Sequence, residues 1–569
     1  AMRLKVLNIS FAVFFAFLVS CLYYLQIIKG PAYKEMGHRN SIRLLSINAP
    51  RGIIYDRRNI KIAENILSFG VFIVPQEVVE LDSTLKRLSE ILDCPESLLK
   101  RNYNRNYQAP FAPCEVKRNV SKKDAILIEE LRLDMRGVIV KELPLRSYPY
   151  AHAFAHLAGY IGEINKSELS ALRSYGYAMK DLIGKEGVER LADNVLRGKS
   201  GGMQIQVDNR GRQVKVLNLK RPVKGEDVYL TVDAGLQDFI WKAMGEKRGA
   251  AIFMDPHTGE ILSLVSTPSY DPNESVASIL YDSDAPLMNR ALMGQYPPGS
   301  VFKILIGLAG LESGSITPQT NFVCNGRLAI GKAVFNCWNL DGHGAMDIRQ
   351  AIAESCNVFF YNAGLILKAE KIYEYARRLG FGKKTGIELS GEKEGFVPTR
   401  AWKRMQVRER WFAGDTVNLS IGQGYLLVTP LQIVRLVAAI ANGGELVQPH
   451  VLKRKGRASG SVRLRLDAKN IEILRDAMKG VVEEEDGTGA RARSSVVSIS
   501  GKTGTSQAGP GLDTHAWFTG FAPSEDPEVC FVIFLEHGGS GGDVSAMIAR
   551  KAVEYWYRNR RPSSVVRHP

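Results

Sequence analysis

The sequence predicts an α+β protein tethered by an N-terminal membrane helix. Three observations carry this. Residues 6–28 form an unbroken uncharged run, which matches one membrane crossing of about 20 residues. In the C-terminal part, helical stretches are bracketed by strand-like runs at both ends, the pattern of a sheet closed by the two ends of a domain. Between them, Ser300–Glu312 is apolar on almost every face, and such a helix belongs inside a large core. At 569 residues the chain exceeds what one core supports, so more than one domain is expected.

The anchor comes first. The uncharged run exceeds the core of a cleaved signal peptide, roughly 7–15 residues, and shows no small-residue cleavage site. Arg3 and Lys5 precede it and Tyr23 and Tyr24 close it, which favours the N-terminus in the cytoplasm and the bulk outside it. Composition is 45% hydrophobic and 24% charged, that of a globular chain rather than a disordered one. The net charge of +16 suits an anionic setting such as a membrane surface or a wall polymer. There is no zinc-finger spacing, recognition-helix signature or Arg-rich run, so nucleic acid is not expected.

Residues 30–225 read as a mixed α/β domain. Asn48–Arg57 looks like a strand and turn, continued through Ile60–Ala63. Residues 82–102 and 121–136 carry apolar residues at helical spacing, and 137–142 reads as a strand. A helix starts at Gly184–Arg190 and ends near Arg197. Strands at Met203–Val207 and Gln213–Leu217 flank a turn at Asp208–Gly211. This domain has no cluster of His, Cys or acidic groups, so it is expected to be structural or docking.

A boundary falls near 222–226, giving segments 1–29, 30–225 and 226–569. Asp227–Asp233 reads as a strand and leads to a helix from Leu236. Ala250–Asp255 and Glu260–Val265 form a hairpin about Pro256–Gly259. Helices are expected at 345–380 and 428–443, strands at 496–501, 515–521 and 528–535, and a last helix at 543–558.

Three short stretches carry the chemistry. Ser300 and Lys303 break the apolar pattern on one face of the first helical turn. There the helix dipole stabilises an alkoxide on Ser300, and burial disfavours the ammonium of Lys303, so that it serves as a base. Alone, Ser-x-x-Lys is common and is better explained by an N-cap serine and a snorkelling lysine. It is joined by Ser355-Cys356-Asn357 at a break between helices, and by Lys502-Thr503-Gly504 within Ser500–Thr505. The three together, in this order, form a specific signature.

On these residues the chain resembles the class B penicillin-binding proteins. The resemblance extends to Arg51–Arg57, Gly184–Arg190, Asn418–Pro430 and His515–Gly520, and Cys337–Gly344 points to the elongation type over the division type. It implies a non-catalytic pedestal at 30–225 and a transpeptidase domain with an antiparallel sheet like that of serine β-lactamases. It implies that Ser300 attacks the D-Ala-D-Ala carbonyl of a wall stem peptide and Lys303 takes its proton. Ser355 relays a proton to the leaving D-Ala, and Asn357 orients Lys303 and the substrate amide. Backbone N–H groups of Ser300 and Thr505 hold the oxyanion. Lys502 adds positive charge, Thr503 and Thr505 bind the terminal carboxylate, and Gly504 admits the substrate backbone. No cofactor is implied for catalysis. β-Lactams would trap Ser300. Since no glycosyltransferase domain is visible, a membrane polymerase of the SEDS family and other elongation-complex proteins are the implied partners.

A β-lactamase would share the motifs but not the anchor and the pedestal. A D,D-carboxypeptidase or a β-lactam sensor is an alternative in which water, or nothing, resolves the acyl-enzyme.

The seven cysteines are few for a disulfide scaffold. Cys530 reads as a core residue, and Cys94 with Cys114 is a possible pair. Cys324, Cys337, His343 and Cys356 are separated by twelve, five and twelve residues. Three thiolates and an imidazole suffice for a tetrahedral structural zinc. The alternative is a Cys324–Cys337 disulfide with Cys356 a buried thiol.

Overall fold

The computed structural model describes residues 2–47, 49–208, 213–454, 460–509 and 511–560. The expected turn at Asp208–Gly211 falls mostly outside them. The chain folds as two compact units. The first comprises Ala1–Gly52, Asn65–Arg146 and Arg197–Glu226, the second Ile53–Glu64, Ser147–Leu196 and Asp227–Pro569. The chain passes finally into the second unit at 226–227, beside the boundary expected from sequence. Two earlier segments, 53–64 and 147–196, also group with that unit.

The first unit begins with the helix Met2–Tyr23, extended by a π-helical turn Tyr24–Ile28. Leu4–Ile28 has a mean hydropathy of 2.2 and buries nothing against protein. Among the described residues it is the one helix long and apolar enough to cross a membrane. The strands Ile42–Ile47, Gly201–Val207 and Gln213–Lys220 form an antiparallel sheet in that order.

The helix expected over 82–102 is two helices, Leu81–Ile91 and Glu96–Asn106. Asp93 takes φ 43° and Pro95 caps the second helix, so the apolar periodicity continues across a break that proline enforces. Likewise Lys122–Glu130 stops short of 136; its N-cap Ser121 accepts from the Asp124 N–H. Leu85, Leu88, Leu99, Val71, Val116 and Ile128 make the core of this unit.

The second unit is built on a five-stranded antiparallel sheet. Its order is Ile261–Thr267, Gly249–Met254, Val529–Leu535, His515–Ala522, Ser500–Ser506. The two ends of the domain thus supply adjacent strands, as the sequence predicts. Alternate residues enter two different cores. Ala250, Ile252 and Met254 pack with the helices Lys303–Glu312, Asn357–Arg378 and Pro430–Ala441. Ala251 and Phe253 pack with Ala234–Met244 and Ala546–Asn559. Both faces are covered, which is why these strands read as continuous apolar runs.

Two expectations shift here. The strand Asp227–Asp233 shrinks to Val228–Tyr229, paired in parallel with Ile54–Tyr55, because Asp233 caps the next helix by accepting from Leu236 N–H at 3.0 Å. The strand expected at 496–501 begins at Ser500.

Candidate active site

The turn bearing Ser300 is defined by its backbone. Gly299–Phe302 is a 3₁₀ turn that runs into the helix Lys303–Glu312, so the first turn is tighter than the α-turn expected. Gly299 sits at φ +58°, and a Cβ there would lie 2.6 Å from the Thr505 carbonyl oxygen. Its N–H donates to Gly422 O at 2.9 Å. Only glycine permits this approach. It brings Ser300 beside the strand Ser500–Ser506.

Lys303 is wholly buried. Its Nζ donates to Ser355 O at 2.7 Å, to Ser355 Oγ at 3.2 Å and to Asn357 Oδ1 at 2.7 Å. Two of the three motifs, 52 and 54 residues apart, therefore meet at one ammonium. Burial lowers its pKa to about 8, against the opposing pull of the nearby thiols. Ser355 occupies the break between the helices Ile348–Ala353 and Asn357–Arg378. It adopts φ +57°, a strained backbone for a residue with a side chain.

The third motif lies on the edge of the sheet, since Ser500–Ser506 is the last strand in its order. Lys502 pairs with Thr519, Gly504 with Trp517 and Thr505 with Ala516. Lys502 is buried and donates to Thr503 O at 3.2 Å; burial, then the charge of Lys303, pushes its pKa well down. Thr503 is buried and its Oγ1 bonds Thr488 Oγ1 at 2.7 Å, whereas Thr505 is exposed. At Gly504 the close approach is made by the Ser300 turn and the neighbouring strand: a Cβ would meet Val301 Cγ1 at 2.9 Å, Trp517 Cβ at 3.0 Å and Pro298 O at 3.1 Å. Thr488 was not signalled by the sequence, because it lies outside every motif. Gly422 lay within the Asn418–Pro430 stretch but carried no role.

Cys324, Cys337, His343 and Cys356 converge, with ligand atoms all within 4.8 Å of one another. His343 Nδ1 lies 3.4 Å from Cys324 Sγ and 3.6 Å from Cys337 Sγ. The strand pair Phe322–Cys324 and Gly344–Met346 sets Cys324 opposite Gly344. Asn357 N–H donates to Cys337 Sγ at 3.3 Å, and Phe359 N–H to Cys356 Sγ at 3.5 Å. The Cys356 thiol, donating to Cys337, pulls the Cys337 pKa down, while the Cys356 pKa is pushed up. All seven cysteines are free thiols, Cys94 and Cys114 among them. Cys530 is buried in its strand, as expected of a core residue.

Residues 249–554 match the penicillin binding protein transpeptidase domain, and residues 46–230 match the penicillin-binding protein dimerisation domain. The peptidoglycan D,D-transpeptidase MrdA of Salmonella typhimurium is 33% identical over 583 residues, covering 95% of this chain and 94% of that protein. Among solved structures, a complex between penicillin-binding protein 2 and MreC from Helicobacter pylori gives a TM-score of 0.79 at 30% identity, over 91% of this chain and 99% of that one. Pseudomonas aeruginosa penicillin-binding protein 2, in complex with WCK 5153, gives 0.70 at 29% identity, over 93% and 100%. The chain belongs to the penicillin-binding protein family, and within it is a class B, elongation-type D,D-transpeptidase of the penicillin-binding protein 2 kind.

Proposed function

We propose that Ser300, Lys303, Ser355, Asn357 and Lys502 carry out the cross-linking of peptidoglycan stem peptides through an acyl-enzyme on Ser300. The observation that carries this is the Lys303 Nζ, buried and shared between Ser355 and Asn357. With its pKa lowered to about 8, a fraction of Lys303 is the neutral amine near neutral pH, and that form accepts the Ser300 proton. The Ser300 Oγ then adds to the carbonyl carbon of the penultimate D-Ala. Backbone N–H groups of Ser300 and Thr505 receive the oxyanion, and losing one such donor typically costs about 10²–10³ in rate. Ser355 passes the proton to the departing D-Ala. The side chain of Thr505, with the charge of Lys502, holds the terminal carboxylate. Thr503 already bonds Thr488, so its part is to orient the strand and to share its hydroxyl with the carboxylate. The amine of a neighbouring stem peptide then attacks the acyl carbon and releases Ser300.

The full chain and one variant of it test the reading. Incubation with penicillin should add one covalent adduct, seen by intact mass, and Ser300→Ala should abolish it while keeping the fold. A stable adduct on the variant would remove Ser300 from the role.

The Cys324, Cys337, His343 and Cys356 group fits structural zinc. The donor set is three thiols and an imidazole, its atoms already share one small volume, and the Cys337 thiol loses its proton easily there, as a zinc ligand must. These residues would hold the ion and so brace Ser355 and Asn357, which flank Cys356. Metal analysis of protein purified without chelator should find one zinc per chain, with thiols released by chelator. No zinc, and a mass two hydrogens short, would mean a Cys324–Cys337 disulfide instead.

Residues 30–225 are read as the pedestal, carrying no chemistry, and the N-terminal helix as a single-pass anchor with its N-terminus in the cytoplasm. The partner would be a SEDS-family glycosyltransferase in the same membrane, together with elongation-complex proteins such as MreC, with which the Helicobacter pylori relative forms a complex.

A further inference from the structure

A buried ionic node lies beside the nucleophile's turn and takes no part in the chemistry above. Glu536 follows the strand Val529–Leu535, and its side chain is 10% exposed. Its Oε1 accepts from the Tyr296 hydroxyl at 2.6 Å and from Arg290 Nε at 3.0 Å. Its Oε2 accepts from Arg248 Nε at 3.0 Å. Arg290 is fully buried and also donates to the carbonyls of Asp284 and Ala285. A carboxylate so removed from water is held ionised by these three donors.

Tyr296 stands four residues before Ser300. Its backbone exchanges hydrogen bonds with Val428, both at 2.9 Å, and its ring packs on Phe534 with centroids 4.1 Å apart. The next residue is tied too: Trp517 Nε1 donates to Pro297 O at 3.1 Å. Trp517 lies on the strand opposite Gly504. Thus the segment 296–299 is tied to two strands of the sheet by side chains, and to the edge strand by the Gly299 contact. Of these ties, the Tyr296 hydroxyl is the one whose removal leaves packing unchanged.

We propose that Glu536 is a positioning residue for Ser300: gripped by Arg290 and Arg248, its carboxylate holds the Tyr296 hydroxyl and so fixes the nucleophile's turn against the strand bearing Thr505. This rests on the reading of Ser300 as nucleophile and Thr505 as oxyanion donor. A turn free to drift would still admit substrate, because the groove's edge strand is unaltered. It would lose alignment in the acylation step, where small displacements cost large factors.

The test uses the full chain in detergent and a fluorescent penicillin at several concentrations, which separates the non-covalent dissociation constant from the acylation rate constant. Tyr296→Phe keeps the ring and removes only the hydroxyl. Its acylation rate constant should fall about tenfold, with the dissociation constant within twofold and the number of titratable sites unchanged. Glu536→Gln should slow acylation as well, and the double variant should be no slower than Glu536→Gln alone, as expected when one residue acts through the other. An unchanged rate constant in Tyr296→Phe would overturn the proposal. So would a loss confined to the number of titratable sites, which would mark a purely structural role, or additive effects in the double variant. Wild-type protein that takes up no penicillin on Ser300 would overturn the functional reading itself. Wild type and Tyr296→Phe labelled equally fast would overturn only the role of Glu536.

Discussion

Ser355 holds a left-handed backbone at φ +57° while its carbonyl and hydroxyl both receive the Lys303 ammonium. A residue with a side chain in this conformation costs of order 1 kcal/mol or more. Glycine would relieve that strain and delete the hydroxyl. Ser355→Gly is therefore expected to raise the melting temperature, by the equivalent of up to about 1 kcal/mol, while cross-linking activity falls at least tenfold through loss of proton transfer. A calorimetric scan beside an activity assay checks both; a variant that is less stable would show that the hydroxyl, not the backbone, dominates here. At this scale the sequence was most legible where chemistry dictates residue type. Ser300 and Lys303 stood out because polar groups interrupt an apolar helix. Glu536 could not stand out, since an acid following a buried strand is unremarkable until the fold brings Tyr296, Arg290 and Arg248 to it.

At the scale of elements, the strand Ser500–Ser506 shows where propensity misleads. Ser-Gly-Lys-Thr-Gly-Thr has little preference for a strand, whereas Val496 and Val497 do, so sequence places the strand too early. Pairing with His515–Ala522 decides the matter, and Ser498 instead bonds Glu525 Oε2 and the Ser524 N–H. The short helix Ala155–Ala158 carries another consequence. It buries His156, whose Nε2 lies 3.5 Å from Pro268 O and whose ring meets Tyr270 edge-on. Burial, with a smaller push from Arg290, lowers its pKa to about 4 against the backbone contact to Pro268. The unfolded chain then binds a proton that the folded one refuses. Stability is full above the unfolded value of about 6.5 and falls as pH drops toward 4, by up to about 3 kcal/mol. Denaturant titrations at pH 7 and pH 5 should show the loss, and His156→Gln should flatten it. An equal loss in the variant would assign the pH effect elsewhere.

At the scale of the molecule, the sequence places one boundary near 222–226. The grouping of 53–64 and 147–196 with the second unit was not legible, because it rests on long-range pairing. Ile54–Tyr55 lies beside Val228–Tyr229, and Gln237 Nε2 bonds Ala153 O at 2.8 Å. Excising all of 30–225 should therefore abolish penicillin uptake, because it strips the second unit of its own parts. Replacing only 66–145 with a short flexible linker should leave uptake within about threefold. Equal survival of both would mean that these segments are dispensable to the second unit.

The same interleaving sets an order of events during synthesis. Segment 53–64 leaves the ribosome long before the strands Val529–Leu535 and His515–Ala522 exist. At roughly 5–20 residues per second, it waits on the order of half a minute to more than a minute for the sheet of its own unit to be completed. Its buried side chains, Ile54, Ile62 and Ala63, are exposed throughout that interval. On the proposed topology, with the first helix as anchor and the bulk outside the cytoplasm, the newborn chain passes through a long unfinished stage in which chaperones and proteases on that side compete for it. The stability of the finished fold shelters these side chains only once the last hundred residues, which carry the strands His515–Ala522 and Val529–Leu535, have arrived.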